Sequence, residues 1–402
     1  MAIFKHDNHE KNYTCPAGPS YDTEAPDPFV GDLSFHEFNL ILSGICTALV
    51  CVITLFLMFQ HATHLSKPRE QIKIMKICLI LPLYTITSYI AICVPDAAVY
   101  ITPWMDVYQA FALASFFLLL CEFVSADKGI EYADFFAGFA PPRKNGKTPA
   151  NGTKWFKNQW RAIFQYPVVS VGVAIATDVT EAMDIYCLES NSAHFAHLWL
   201  TIIGIISLAM AVIAILRFYK ALKADLATHQ PLAKLLAFKL IVGLSLLEEI
   251  IFSILRSTSA LSPSNTLSNG DTEIGIPQLV VCIQMVPFAL FFPYAYSWKP
   301  YTRGGHDAYR GVGRAWIGLL NPVEIIRGVK GAVTGEIQRG GKRMYSLAGN
   351  PAVGVPVGVE AVAGPAPAYD SGETGYGYEY GYGHVRPAGA PTVQTTYSRL
   401  AD

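Results

Sequence analysis

The chain is 402 residues long, 52% hydrophobic and only 15% charged, with a net charge of −1. Soluble domains hold about 25% charged residues, so the deficit points to lipid as the solvent. The balanced charge excludes a basic nucleic-acid-binding surface, and the hydrophilic opening stretch predicts no secretory signal peptide.

Residues 1–37 read as a polar exoplasmic arm in which Asn12 opens an Asn-Tyr-Thr glycosylation sequon. Apolar runs long enough to cross a bilayer, for which about 20 residues suffice, follow at 39–60, 72–94, 103–124, 162–183, 195–216, 236–255 and 277–298. Pro82 lies inside the second run, where membrane helices tolerate proline. A long polar segment, 125–160, separates the third run from the fourth. The pattern predicts an all-α integral membrane protein, a seven-transmembrane helix bundle over residues 38–298.

Positive charge sets its orientation, because Lys and Arg concentrate in cytoplasmic loops. Lys67, Arg69, Lys73 and Lys76 fill the first connection, Arg143, Lys144, Lys154 and Lys157 the third, and Arg217, Lys220 and Lys223 the fifth. The alternate connections carry none beyond Arg256 at a span edge. The N-terminus is therefore expected on the exoplasmic side and the C-terminus in the cytoplasm. A second sequon, Asn151-Gly-Thr153, falls on the cytoplasmic side and is expected to stay unmodified.

Residues 299–348 read as a cytoplasmic amphipathic segment. Asn321, Pro322 and Glu324 suit a helix start, and Ile326, Val329, Val333 and Ile337 recur on one helical face. With Arg327, Lys330 and Arg339, that face predicts a helix lying on anionic headgroups. Trp316 is expected as a headgroup-level anchor just before it. The alternative is that Trp316-Ile-Gly-Leu319 docks an autophagy modifier by strand addition. Residues 349–402 form a Gly/Pro/Tyr-rich tail expected to be disordered. Within it, Tyr397-Ser-Arg-Leu400 fits the pattern that trafficking adaptors read.

Glu248 and Glu249 stand side by side inside the sixth run. Intramembrane carboxylates are costly and mark function by default, so this pair is the leading candidate transport and proton-binding site. The structural alternative is that they hydrogen-bond to neighbouring spans and hold the bundle together. Gln109, Gln284 and Glu122 join the candidate site, with interhelical hydrogen bonding or anchoring at a helix end as their plainer roles. Asp178, Glu181 and Asp184 are read as solvated residues at the outer end of the fourth run. Cys15, Cys93 and Cys187 all fall on the exoplasmic side, where Cys93 is a candidate to bridge one of the other two. No cysteine or histidine spacing predicts a metal site, and His61 and His64 read as polar residues at a helix end. No cofactor is expected.

The joins between runs carry a resemblance. His64-Leu65, Pro68 and Gln71 follow the first run; Leu81-Pro82-Leu83-Tyr84 and Ser88 lie in the second; Tyr108-Gln109-Ala110-Phe111 opens the third, which closes near Glu122. Pro231, Lys234 and Phe238-Lys239 precede the sixth, and Ile276-Pro277-Gln278 with Cys282-Ile283-Gln284-Met285 begins the seventh. This order resembles the organic solute transporter alpha (Ostalpha) and transmembrane protein 184 family over residues 38–298. The family usually has Glu where Gln109 and Gln284 stand here, and its cysteine-rich cluster is absent.

The resemblance implies transport of steroid-like or other organic anions, alone, as a homo-oligomer or with a small single-span partner subunit. The alternative it implies is a vacuolar or endosomal membrane scaffold or trafficking protein acting through its cytoplasmic tail. The vacuole, endosome and plasma membrane are the expected locations. A seven-span receptor is disfavoured: there is no acidic-Arg-Tyr triplet after the third run, and no Asn-Pro-x-x-Tyr motif or retinal-binding Lys in the seventh. No nucleophile elbow, P-loop or zinc-protease motif predicts an enzyme.

Overall fold

The computed structural model describes residues 22–126, 132–141, 151–188, 192–226, 261–302 and 311–337, with separate positions between 240 and 258. These residues are helical, apart from loops and one isolated bridge between Val30 and Leu33. Among the described residues, six helical stretches are long and apolar enough to cross a bilayer. Half of the expected run 236–255 lies outside the described residues; positions 240, 243, 244, 247, 248, 250–252, 254 and 255 are helical. Asn12, Cys15, Glu249, Arg339 and the 349–402 tail also lie outside them.

Helix α1, Phe35–Thr63, starts at a capping box. Ser34 Oγ accepts from the Glu37 amide at 3.2 Å, and the Glu37 carboxylate accepts from the Ser34 amide at 2.9 Å. The second span is two helices, α2 (Pro68–Cys78) and α3 (Ile80–Cys93), broken at Leu79. Pro82 supplies the reason: it has no N–H to donate, and its ring crowds the Cys78 carbonyl four residues back.

A 3-10 turn, Pro95–Ala97, and α4, Ala98–Ile101, lead into α5, Pro103–Ala126. α5 is the hub. Leu113, Phe116, Phe117, Leu119, Leu120 and Phe123 point in all directions around it and are all buried. A helix apolar on every side is a buried one. It packs on α2 and on α7, Gly152–Ala182; α7 in turn packs on α8, Ala196–Ala221. α1 packs on α3 and on α10, Ile276–Ala295, which is entered through a π-helical turn, Asp271–Gly275. Ile45, Val52 and Phe56 on α1 and Ile206 and Ile213 on α8 stay exposed, as side chains facing lipid do.

α7 begins ahead of the expected apolar run because its first turns belong to an aromatic core. Asn151 caps it, accepting from the Lys154 amide at 3.1 Å. Trp155, Phe156 and Trp160 then meet Phe117, Phe136 and Phe218 from α5, α8 and the short helix α6, Tyr132–Gly138. Phe136 and Phe156 stack at 3.9 Å between ring centres, and Phe117 meets Phe218 edge-on at 5.0 Å. A four-residue helix, α9, Lys223–Leu226, follows α8 and buries Leu226.

The segment after α10 differs from one free amphipathic helix in two ways. It is a docked pair, α11 (Val312–Leu320) and α12 (Val323–Thr334), and its most buried positions are off the aliphatic stripe, of which Val329 and Ile337 pack partly on the core. Ile325, Gly328 and Gly331 are the buried positions of α12, while Ile326 and Val333 point outward at 60% and 80% exposure. Small residues let two helix backbones approach closely, and a glycine face wins the contact on that ground. A Cβ on Gly328 would overlap the Phe164 ring of α7. Trp160 Nε1 donates to the Gly328 carbonyl at 2.8 Å, and Arg161 Nε to the Ala332 carbonyl at 3.2 Å. Gly335 ends α12 in the left-handed region, φ 72°. The Trp316-to-Leu319 stretch is helical, with Leu319 buried and Trp316 partly buried against the core.

Candidate functional site

The candidate residues fall into three places with separate partners. In the first, Gln284 on α10 donates through Nε2 to Glu248 Oε2 at 2.6 Å, tying the run around 240–255 to α10. Both are half-buried, and Gln284 Oε1 has no hydrogen-bond partner. Glu249 lies outside the described residues.

In the second, Gln109 is buried at the centre of the bundle. It accepts from Tyr84 Oη at 2.7 Å and donates to Tyr166 Oη at 3.0 Å, which joins α3, α5 and α7. An amide suits this position because it offers one acceptor and two donors to two hydroxyls.

The third place is the largest and lies where α1, α2, α5, α10 and α12 meet. Lys73 is 2% exposed, and its ammonium lies between Glu122 at 3.3 Å and Glu324 at 3.1 Å. It also donates to the Arg69 carbonyl at 2.9 Å. Lys76 reaches Glu324 at 3.8 Å and donates to the Asn321 carbonyl at 2.8 Å. Glu324 therefore does not fold back to complete a capping box. Asn321, one residue ahead of the Pro322 cap position, accepts through Oδ1 from the Val323 amide at 2.9 Å.

One turn away, Tyr301 Oη donates to Glu70 Oε2 at 3.0 Å. Gln71 Nε2 donates to the His61 and His64 carbonyls at 3.1 and 2.8 Å, which explains the Pro68-to-Gln71 spacing. His61 donates through Nε2 to the Tyr296 carbonyl at 2.9 Å, and His64 lies over Trp298 at 4.9 Å. Both histidines are used in packing. Among the described residues, no group of three His, Cys, Asp or Glu side chains gathers where it could hold a metal ion.

Burial alone would push the Glu324 carboxyl up. Lys73 and Lys76, the hydrogen bond from Lys73 and the charge of Arg69 outweigh it and hold the group below its ordinary value of 4.5. The sign follows: a depressed carboxyl stabilises docking of α12 fully above the ordinary carboxylate range. That contribution is lost as pH falls through the folded value. Hydrogen exchange of residues 323–334 should therefore be flat from neutrality to about pH 5 once corrected for intrinsic rates, and should rise below about pH 4. Exchange that does not change on acidification would refute the pairing.

Asp178 is not simply solvated: it accepts from Trp104 Nε1 at 3.1 Å, while Asp184 is exposed. A bridge through Cys93 does not form, since Cys93 is an exposed free thiol. Cys187 is disulfide-bonded and buried. Sequence reasoning missed Lys73 as the centre of the third place, and it missed Asn39 and Asp271, which are buried where α1 and α10 begin. For Asn39 a signal existed, a polar residue at the head of an apolar run; for the Lys73–Glu324 pair there was none.

The joins that build these contacts, from Asn39 to Tyr301, form one matched block: the family described as Organic solute transporter Ostalpha matches residues 39–301. The chain belongs to that family. Among its relatives, a Transmembrane protein 184 homolog from Dictyostelium discoideum is 24% identical over 280 residues, covering 65% of this chain and 53% of the relative. Protein LAZ1 from Arabidopsis thaliana is 26% identical over 296 residues, covering 67% of this chain and 59% of the relative. The chain thus matches little more than half the length of these two relatives. No solved structure matches. Ostalpha membership and six apolar helices together make this a multi-pass integral membrane protein.

Proposed function

We propose that the protein is a transmembrane transporter of organic solutes of the steroid-like or other organic-anion class. The family match supports this reading. The observation that carries it is the Glu248–Gln284 contact, a carboxyl and an amide joined at 2.6 Å between two apolar helical segments. A carboxyl at that depth costs a few kcal/mol and is kept where it lines a pathway or bonds a partner. Gln284 leaves one acceptor free to meet a donor on a passing solute or water. The same proposal includes a seventh span through 236–255, an exoplasmic N-terminus with Asn12 glycosylated, and a cytoplasmic C-terminus. It also includes a vacuolar, endosomal or plasma-membrane location, and assembly as a homo-oligomer or with a small single-span subunit.

The test is uptake of a panel of organic anions and sterols by proteoliposomes of the full chain. Saturable uptake of a steroid-like anion is expected, with Glu248→Gln and Gln284→Leu each lowering it about ten-fold or more, an interaction of about 1.4 kcal/mol. Absence of uptake across the panel, or correctly placed variants that transport like the parent, would reject the reading.

A further inference from the structure

The end of the bundle where α1 and α10 begin gathers buried oxygen atoms that none of the three places above uses. Asn39, in the first turns of α1, is fully buried, and Asp271, which opens the π-helical turn, is 1% exposed. Asp271 Oδ2 is occupied, accepting from the Ser268 amide at 3.1 Å and the Ser268 hydroxyl at 2.7 Å. Its other oxygen, Oδ1, has no hydrogen-bond partner. Asn39 Nδ2 donates to the Gly275 carbonyl at 2.9 Å, and that leaves Asn39 Oδ1 without a partner as well.

Both side chains lie beside Gly275, Asn39 with its donor nitrogen and Asp271 with its unpartnered oxygen. A Cβ built on Gly275 would lie 3.2 Å from Asn39 Nδ2 and 3.4 Å from Asp271 Oδ1. Three residues further along α10, on the same side of the helix, Gln278 Oε1 is also buried and unpartnered. Ile274 packs with Ala91 and Ala98 beside the turn and keeps the surroundings apolar.

Each buried acceptor left without a donor costs about 1–3 kcal/mol, and more for a charged group. Three lie in or beside the first turn of α10, and the carboxylate oxygen among them favours a positively charged partner. The imidazole of His36 stands 3.9 Å from Asp271 Oδ1, beyond hydrogen-bond reach. Hard cations take oxygen ligands of this kind, carboxylate and amide carbonyl together. A π-helical turn is a common device at functional sites, and irregular helix starts at membrane depth expose oxygens to ions. The charge count narrows the ion: one carboxylate with two neutral amides balances a single positive charge.

We propose that Asp271, Asn39 and Gln278 form a binding site for an alkali-metal cation at the head of α10. The site stands apart from Glu248 and Gln284, and its occupancy does not depend on what the protein transports. A bound ion would pin the start of α10 to α1 and so fix the helix that carries Gln284.

The experiment uses the full chain in lipid nanodiscs and reads its thermal midpoint in sodium, potassium, calcium or choline chloride at equal ionic strength. A saturable rise in sodium or potassium over choline is expected. Asp271→Asn should weaken the apparent affinity for that ion by about ten-fold or more, as loss of a ligand does. Gly275→Ala, whose added methyl would crowd both side chains, should weaken it too and serves if Asp271→Asn does not fold. Equal midpoints in sodium, potassium and choline would overturn the proposal, as His36 acting as sole counter-charge would produce. A rise that survives unchanged in either variant would overturn it, and so would a response to calcium alone. Because the readout is binding, failure here leaves the transport proposal standing, and failure of uptake leaves this site testable.

Discussion

Replacing Lys73 with Met is expected to destabilise the protein by about 3–5 kcal/mol, the cost of breaking a buried ion pair by removing one partner. Lys73 holds the Glu122 and Glu324 carboxylates apart at 3.3 and 3.1 Å. Without it they confront each other across a buried gap, and Lys76, 3.8 Å from Glu324, and the charge of Arg69 remain to offset Glu324. The double variant Lys73→Met/Glu122→Gln should recover part of the loss, because it leaves Glu324 facing Lys76 and no second carboxylate beside it. Membrane proteins commonly unfold irreversibly, so half-life at a fixed temperature in nanodiscs is the measurement of choice. A Lys73→Met half-life equal to that of the parent would show that the triad is not holding these helices.

Gly328→Leu should undock α12. Its Cβ alone would overlap the Phe164 ring, and the close approach also sets the Trp160 bond to the Gly328 carbonyl. Inserting a side chain into a packed contact costs about 1–3 kcal/mol where the neighbours can shift, and here the neighbour is a buried ring on α7. Limited proteolysis should cut within residues 311–337 about ten times faster than in the parent, since cleavage follows the population of the open form. Ile326→Ala, at an outward position on the same helix, should leave the cutting rate unchanged. Equal rates for Gly328→Leu and the parent would show that α12 is held elsewhere.

Much of this architecture was legible in the residues. Long apolar runs fixed α1, α5, α8 and α10, because bilayer thickness imposes a length that hydropathy reveals directly. The break at Leu79 was not legible, because Pro82 reads equally as a proline tolerated inside one run. Gln109 could be read as an interhelical hydrogen-bonding residue, and it is one. The extent of α7 was not legible, because Gly152–Trp160 mixes lysines with aromatics and reads as a polar loop until the aromatics find Phe117 and Phe218. Nor was the inward face of α12, where periodicity favoured Ile326 and Val333 although close backbone approach selects Gly328. The Lys73–Glu324 pair joins distant parts of the chain, and no local pattern encodes a contact that only tertiary packing creates.

The length of α7 has a consequence for what holds the molecule together. Its 31 residues extend about 46 Å, against a hydrocarbon thickness of about 30 Å. With Lys154, Lys157 and Arg161 on its opening turns, the surplus is expected to stand clear of the acyl chains at that end. Trp155, Phe156 and Trp160 thus form a collar sheltered from water, whereas the helices below it are sheltered from nothing but oil. Apolar contacts between helices gain little from leaving lipid, but in the collar they gain the full benefit of leaving water. The two halves of one bundle therefore answer to different solvents. Urea and cold should loosen the collar first, and a change of lipid should act on the remainder.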